Sequence, residues 1–175
     1  MANPMYGQNK EDNAIDKVKG LVYHDVAATS HTNTTDAADI SSYAIPTGDL
    51  QVGSCIKVRS CINVTDQNGT DTATAIVQLG SVSGTTSGAV TVADSDKFYF
   101  DVQIVITKMG SAGTAECFGY VGTDATGSTL LHADNVSMTA IDFSGTTVNL
   151  GINVDHSAAH SDNELTHQWT TIELS

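Results

Sequence analysis

The chain has 175 residues, with 20 acidic against seven basic side chains and a formal charge of −13. That balance argues against DNA or an anionic membrane as a direct partner, since both are bound through positive charge. It leaves a basic protein surface or a cation, or acidity that simply keeps an abundant protein in solution. One domain of this size buries roughly 70% of its unfolded surface, so it needs no covalent staple.

Residues 1–20 differ from the rest. MANPMYGQNK is polar and punctuated by Pro4 and Gly7. In EDNAIDKVKG, Asp12 or Asn13 is placed to cap a short helix over Ala14, Ile15 and Val18. So few apolar residues do not order a segment alone, which reads as a frayed terminus or an arm that orders on a partner. No apolar core of a signal peptide is visible there, and no run reaches the ~20 apolar residues of a membrane span.

Residues 21–28, LVYHDVAA, read as a first strand, 29–38 as a loop, and 39–45 as a short strand closed by Pro46-Thr47-Gly48-Asp49. SCIKVRSCINVT (54–65) alternates clearly. Asp66-Gln67-Asn68-Gly69 then reads as a hairpin turn, because Asn-Gly accepts positive φ cheaply. TATAIVQL (72–79) is the expected return strand, GSVSGTTSG (80–88) a loop, and 89–92 a short lead-in.

The stretch KFYFDVQIVITKMG (97–110) organises the rest. Phe98, Phe100, Val102, Ile104 and Ile106 share one face at period two, and Tyr99, Asp101, Gln103, Val105 and Thr107 share the other. Aromatic and β-branched residues favour a pleated, half-buried surface. Strands are further expected over 115–121, 136–143, 147–154 and 165–174. Eight or nine strands with Gly/Ser/Thr turns predict an all-β protein, a jelly-roll β-sandwich over residues 39–175 preceded by an N-terminal arm and lead-in over 1–38.

Cys55, Cys61 and Cys117 form a sparse, odd set. Cys55 and Cys61 lie roughly 20 Å apart along one extended strand, too far to bridge within it, so the three read as buried thiols of a reducing compartment. Catalytic motifs are missing: Gly80-Ser81-Val82-Ser83-Gly84 puts Val82 where a nucleophile elbow needs serine, and there is no P-loop, GxGxxG or HExxH. Residues 66–71 have the look of a calcium loop but lack its distal bidentate Glu. His156-x3-His160, with Asp155, Asp162, Glu164 and His167, is the best metal-like group, yet on a loop the spacing predicts little and solvated residues are the plain reading. Trp169 reads as core or interface packing, and exposed aromatics are expected to be scarce. No cofactor, metal or catalytic residue is assigned.

Two features carry a resemblance. The opening MANPMYGQNKEDNAIDKVKG resembles the N-terminal arm of small structural proteins of tailed bacteriophages, marine ones in particular. The series KVRSCINVTDQNGTDTATAIVQLG, DKFYFDVQIVITKMGSAGTAECFGYVG and VNLGINVDHSAAHSDNELTHQWTTIEL resembles the jelly roll of phage capsid decoration (cement) proteins and of some tail-fibre domains. The resemblance implies a non-enzymatic virion protein on the outer capsid surface, made in the host bacterial cytoplasm. It also implies a homotrimer bound to the major capsid protein. It makes Asn3, Pro4, Met5, Tyr6, Gly7, Gln8, Asn9 and Lys10 the capsid-binding arm. Tyr99, Val105 and Trp169 are then the expected subunit interface, with no nucleic acid or membrane among the partners. Two readings compete with decoration: a tail-fibre or receptor-binding jelly roll recognising a host-surface glycan, and a jelly-roll enzyme, which would carry a metal or show turnover.

Overall fold

The structure, a computed structural model, describes residues 20–125 and 132–175. Twelve strands run β1 (Gly20–Asp25), β2 (Ser30–Thr32), β3 (Ala38–Pro46), β4 (Cys55–Asp66), β5 (Thr72–Leu79), β6 (Val82–Thr86), β7 (Val90–Thr91), β8 (Lys97–Lys108), β9 (Gly113–Thr123), β10 (His132–Ile141), β11 (Thr147–His156) and β12 (Glu164–Leu174). One sheet has the order β1-β12-β4-β8-β9-β10, with β2 also on β12; the other has β3-β11-β5-β6, with β7 also on β5. All pairings are antiparallel.

The pairs β1·β12, β3·β11, β4·β8 and β5·β6 are nested, and successive pairs alternate between the two sheets. That nesting is the jelly roll, with the β9–β10 hairpin extending the larger sheet. Residues 20–25 and 30–32, grouped in the sequence with the lead-in, are strands of that sheet. No helix among the described residues is long and apolar enough to cross a membrane.

β8 lies near the middle of the larger sheet, as its length and pattern predict. Phe98, Phe100, Val102, Ile104 and Ile106 are buried against Ile56, Val58, Val77, Leu79, Leu150 and Ile152 of the common core. Burying a side chain of this size stabilises by roughly 1.5–3 kcal/mol, so these rows hold the two sheets together.

Three local expectations are corrected. Residues 66–71 do not form a hairpin: β4 pairs with β12 and β8 in one sheet, and β5 pairs with β11, β6 and β7 in the other. The turn carries the chain across the sandwich, and neither Asn68 nor Gly69 has positive φ. It is pinned from outside, since Asn163 Oδ1 accepts from the Asn68 N–H (3.0 Å) and Asn163 Nδ2 donates to Asp71 (2.9 Å). Residues 80–88 and 29–38, read as loops, contain β6 and β2. These strands are short and rich in small or polar residues, and they owe their pairing to the partners beside them.

Candidate functional site

The outer face of the larger sheet is the candidate site. Directly opposed residues share a face, so the register fixes its rows. Trp169, Cys61, Tyr99 and Gly122 form one; Thr171, Arg59, Asp101 and Tyr120 the next; Glu173, Lys57, Gln103 and Phe118 a third; Cys55, Val105 and Glu116 a fourth. Trp169, Tyr99, Tyr120 and Phe118 are each 36–38% exposed. They make a diagonal band, with Trp169 and Tyr99 flanking Cys61 roughly 10 Å apart and Tyr120 and Phe118 two residues apart on β9. The aromatics expected to be scarce at the surface therefore gather on one face.

Two backbone irregularities build that band. Leu165 and His167 point inward from β12, and unbroken alternation would send Trp169 inward as well. The register shifts between His167 and Trp169, and this bulge turns the indole outward while Thr170 and Ile172 return to the core. Buried polar bonds hold the bulge. His167 Nδ1 donates to the Ala27 carbonyl (2.7 Å), its Nε2 pairs with the Thr170 hydroxyl (2.8 Å), and Ser60 Oγ meets both Thr170 Oγ1 (2.8 Å) and the Trp169 carbonyl (3.0 Å).

On β9, Gly119 sits between Phe118 and Tyr120 with φ +130°, and a Cβ there would overlap the Asp101 carbonyl oxygen. Only glycine permits this close approach of β9 to β8.

The electrostatics of the face differ from those of the chain. Lys57, Arg59 and Lys97 lie on it, three of the four basic residues in the described part. Arg59 pairs with Asp101 across β4 and β8 (Nε–Oδ2 3.5 Å), a half-exposed bridge that orders the centre but adds little stability. Burial and the Asp124 carboxylate push the Tyr99 phenol above its ordinary value. Burial likewise raises the thiols of Cys55, Cys61 and Cys117, which are all free.

The expected interface residues Tyr99, Val105 and Trp169 share this face, with Val105 half-buried. The sequence reading missed Phe118 and Tyr120. The signal was present in TAECFGYV, where Phe118 and Tyr120 run in phase with Glu116, and Ala115, Cys117 and Val121 run out of phase. The arm residues Asn3, Pro4, Met5, Tyr6, Gly7, Gln8, Asn9 and Lys10 lie outside the described residues. The histidine group around 156–167 is dispersed. His156 and His167 are buried, whereas His160 is half-exposed beside Asp162 (3.7 Å). His156 is thus not the solvated loop residue its surroundings in sequence suggest. Among the described residues no group of three His, Cys, Asp or Glu side chains is arranged to hold a metal.

No protein-family model matches the chain, and no curated protein matches it.

Proposed function

We infer that the chain is a structural virion protein that decorates and stabilises the outer surface of an icosahedral phage capsid, binding the major capsid protein as a homotrimer. The observation that best supports this reading is the band of four exposed aromatics on one sheet face whose local charge is near balance. Monomers seldom expose such a patch without a partner, and Trp and Tyr are the residues that anchor interfaces. Three of the four basic side chains among the described residues lie on this face, so electrostatics disfavours it least for association between acidic copies. Many modest contacts repeated over a trimer bind a shell through avidity, and binding to the assembled state alone stabilises it by mass action. The sequence resemblance supplies the identity of that shell.

Cosedimentation with expanded capsids lacking the protein tests this, comparing residues 1–175 with residues 21–175. The full chain is expected to saturate the shell at a fixed stoichiometry and the truncated chain to stay in the supernatant. Binding by both chains would move the contact from the arm to the sandwich. A full chain that does not sediment overturns the decoration reading.

A second reading rests on the same rings. Exposed indole and phenol faces also stack on sugar rings, which suits a receptor-binding domain for a host-surface glycan. Saturable binding to host cells, with quenching of Trp169 fluorescence by the isolated glycan, favours it over decoration.

A further inference from the structure

A second feature lies inside the sandwich, at the end where its two sheets are joined by loops. His31 is on β2, opposite Leu165 of the larger sheet, and His156 ends β11, opposite Ala73 of the smaller sheet. Their rings stack with centroids 5.3 Å apart and planes 14° from parallel. Both are more than nine-tenths buried. His31 Nε2 and both ring nitrogens of His156 make no hydrogen bond of acceptable geometry, and neither does the nearby Asp155 Oδ1. The His31 main chain favours the charged form of His156. Buried polar atoms are nearly always paired, so three orphan ring nitrogens in one contact mark a place that is not built for stability alone.

We propose that His31 and His156 form an acid-sensitive clasp between the two sheets, closed while both rings are neutral and opened when either takes a proton. In the closed state the rings pack as flat apolar bodies and tie β2 to the end of β11. A proton on one ring places a cation in a desolvated site, against a second imidazole, where burial outweighs the nearby carboxylates. Of the two strands the clasp joins, β2 has the less to hold it: three residue pairs, all with β12, while β11 is paired on both sides. Opening therefore loosens β2 first.

The charges that face the pair are known. Asp155 and Asp36 face His31, while Asp155 and Asp71 face His156; all three favour the protonated forms. Asp71 is already engaged by Asn163 and Asn68, whose hydrogen bonds hold its carboxyl below the ordinary range. Burial outweighs these attractions and depresses both imidazoles below their ordinary 6.5. The folded state thus takes up its protons later than the opened one. The contribution to stability is complete above about 6.5 and is lost as the pH falls below it. Each extra proton bound on opening changes the opening constant about tenfold per pH unit, so two give about a hundredfold.

The test is hydrogen exchange of the β2 amides in the full chain from pH 7.5 to 4.5, corrected for intrinsic exchange rates, beside the His31→Phe/His156→Phe variant. Phenylalanine keeps the stack and removes the titration. The wild-type chain is expected to lose β2 protection between about tenfold and a hundredfold per pH unit below 6.5, while the variant keeps it. Equal pH dependence in both chains overturns the proposal. Should the variant fail to fold, NMR titration of the imidazoles in the native chain decides. Two rings with midpoints below 6.5 that titrate together with the loss of β2 protection sustain the clasp. Ordinary midpoints for all six histidines reject it.

Discussion

The two faces of β8 are written in one run of twelve residues, yet they answer to different demands. Phe98, Phe100, Val102, Ile104 and Ile106 are at most 3% exposed and are packed from across the sandwich by the smaller sheet. Tyr99, Asp101, Gln103 and Val105, one residue out of phase, meet only their lateral neighbours on β4 and β9. Inside, shape is dictated by close packing, and any apolar residue of the right volume serves. Outside, packing dictates little. A phenol, an indole and a phenyl ring held there add hydrophobic surface without adding much stability. The inner face thus explains why the protein folds, and the outer face is where a reason beyond folding must be sought.

The sharpest way to separate the faces is to truncate one residue on the inner side. Phe98→Ala removes a fully buried ring opposite Ile62 and is expected to cost about 3–5 kcal/mol in chemical denaturation, through lost transfer energy and the cavity left behind. Molecules that remain folded should self-associate and bind capsids as the wild type does, because neither the outer face nor the arm has changed. A loss below about 1 kcal/mol would mean that the core around β8 is not close-packed.

Gly119→Ala attacks the seam between the faces. The residue needs φ +130° and has no room for a Cβ beside the Asp101 carbonyl. Strain and overpacking together are expected to cost roughly 2–4 kcal/mol. Unlike Phe98→Ala, this change should also disturb binding in the folded fraction, since β9 must move away from β8 and carry Phe118 and Tyr120 with it. An alanine variant with unchanged stability and binding would show that the register of β9 is not what sets the band.

These positions also mark what was legible in the sequence. β8 and β5 were, because period-two alternation of β-branched and aromatic residues is a local signal of a strand with one buried face; the predicted bounds of β5, Thr72–Leu79, are those observed. The all-β class was legible for the same reason. Partner choice was not. Asp66-Gln67-Asn68-Gly69 reads identically whether the chain turns back beside β4 or crosses to the other sheet, and the decision is made by Asn163, far away in sequence. The outward turn of Trp169 was equally hidden, since the bulge that causes it depends on the register of β12 against β4. The stacked histidines come from opposite ends of the described chain, and no spacing rule brings them together.

The smallest change in stability should accompany the largest change in binding. Tyr99→Ser and Trp169→Ser remove rings that are more than a third exposed, and each is expected to alter folding free energy by no more than about 1 kcal/mol. If the outer face is the subunit interface, each truncation should cost about 2 kcal/mol of self-association, roughly thirtyfold in Kd, because aromatic anchors near the centre of an interface carry a disproportionate share of its energy. Equilibrium unfolding and sedimentation equilibrium on the same preparations compare the two quantities directly. Gln103→Ala, between the aromatics and far less able to anchor, is the internal control and should leave both nearly unchanged. If the Tyr99 and Trp169 variants self-associate at wild-type concentrations, the band is not the subunit interface. The asymmetry between the two faces of β8 would then require another ligand, of which a host-surface glycan stacked on the same rings is the first to assay.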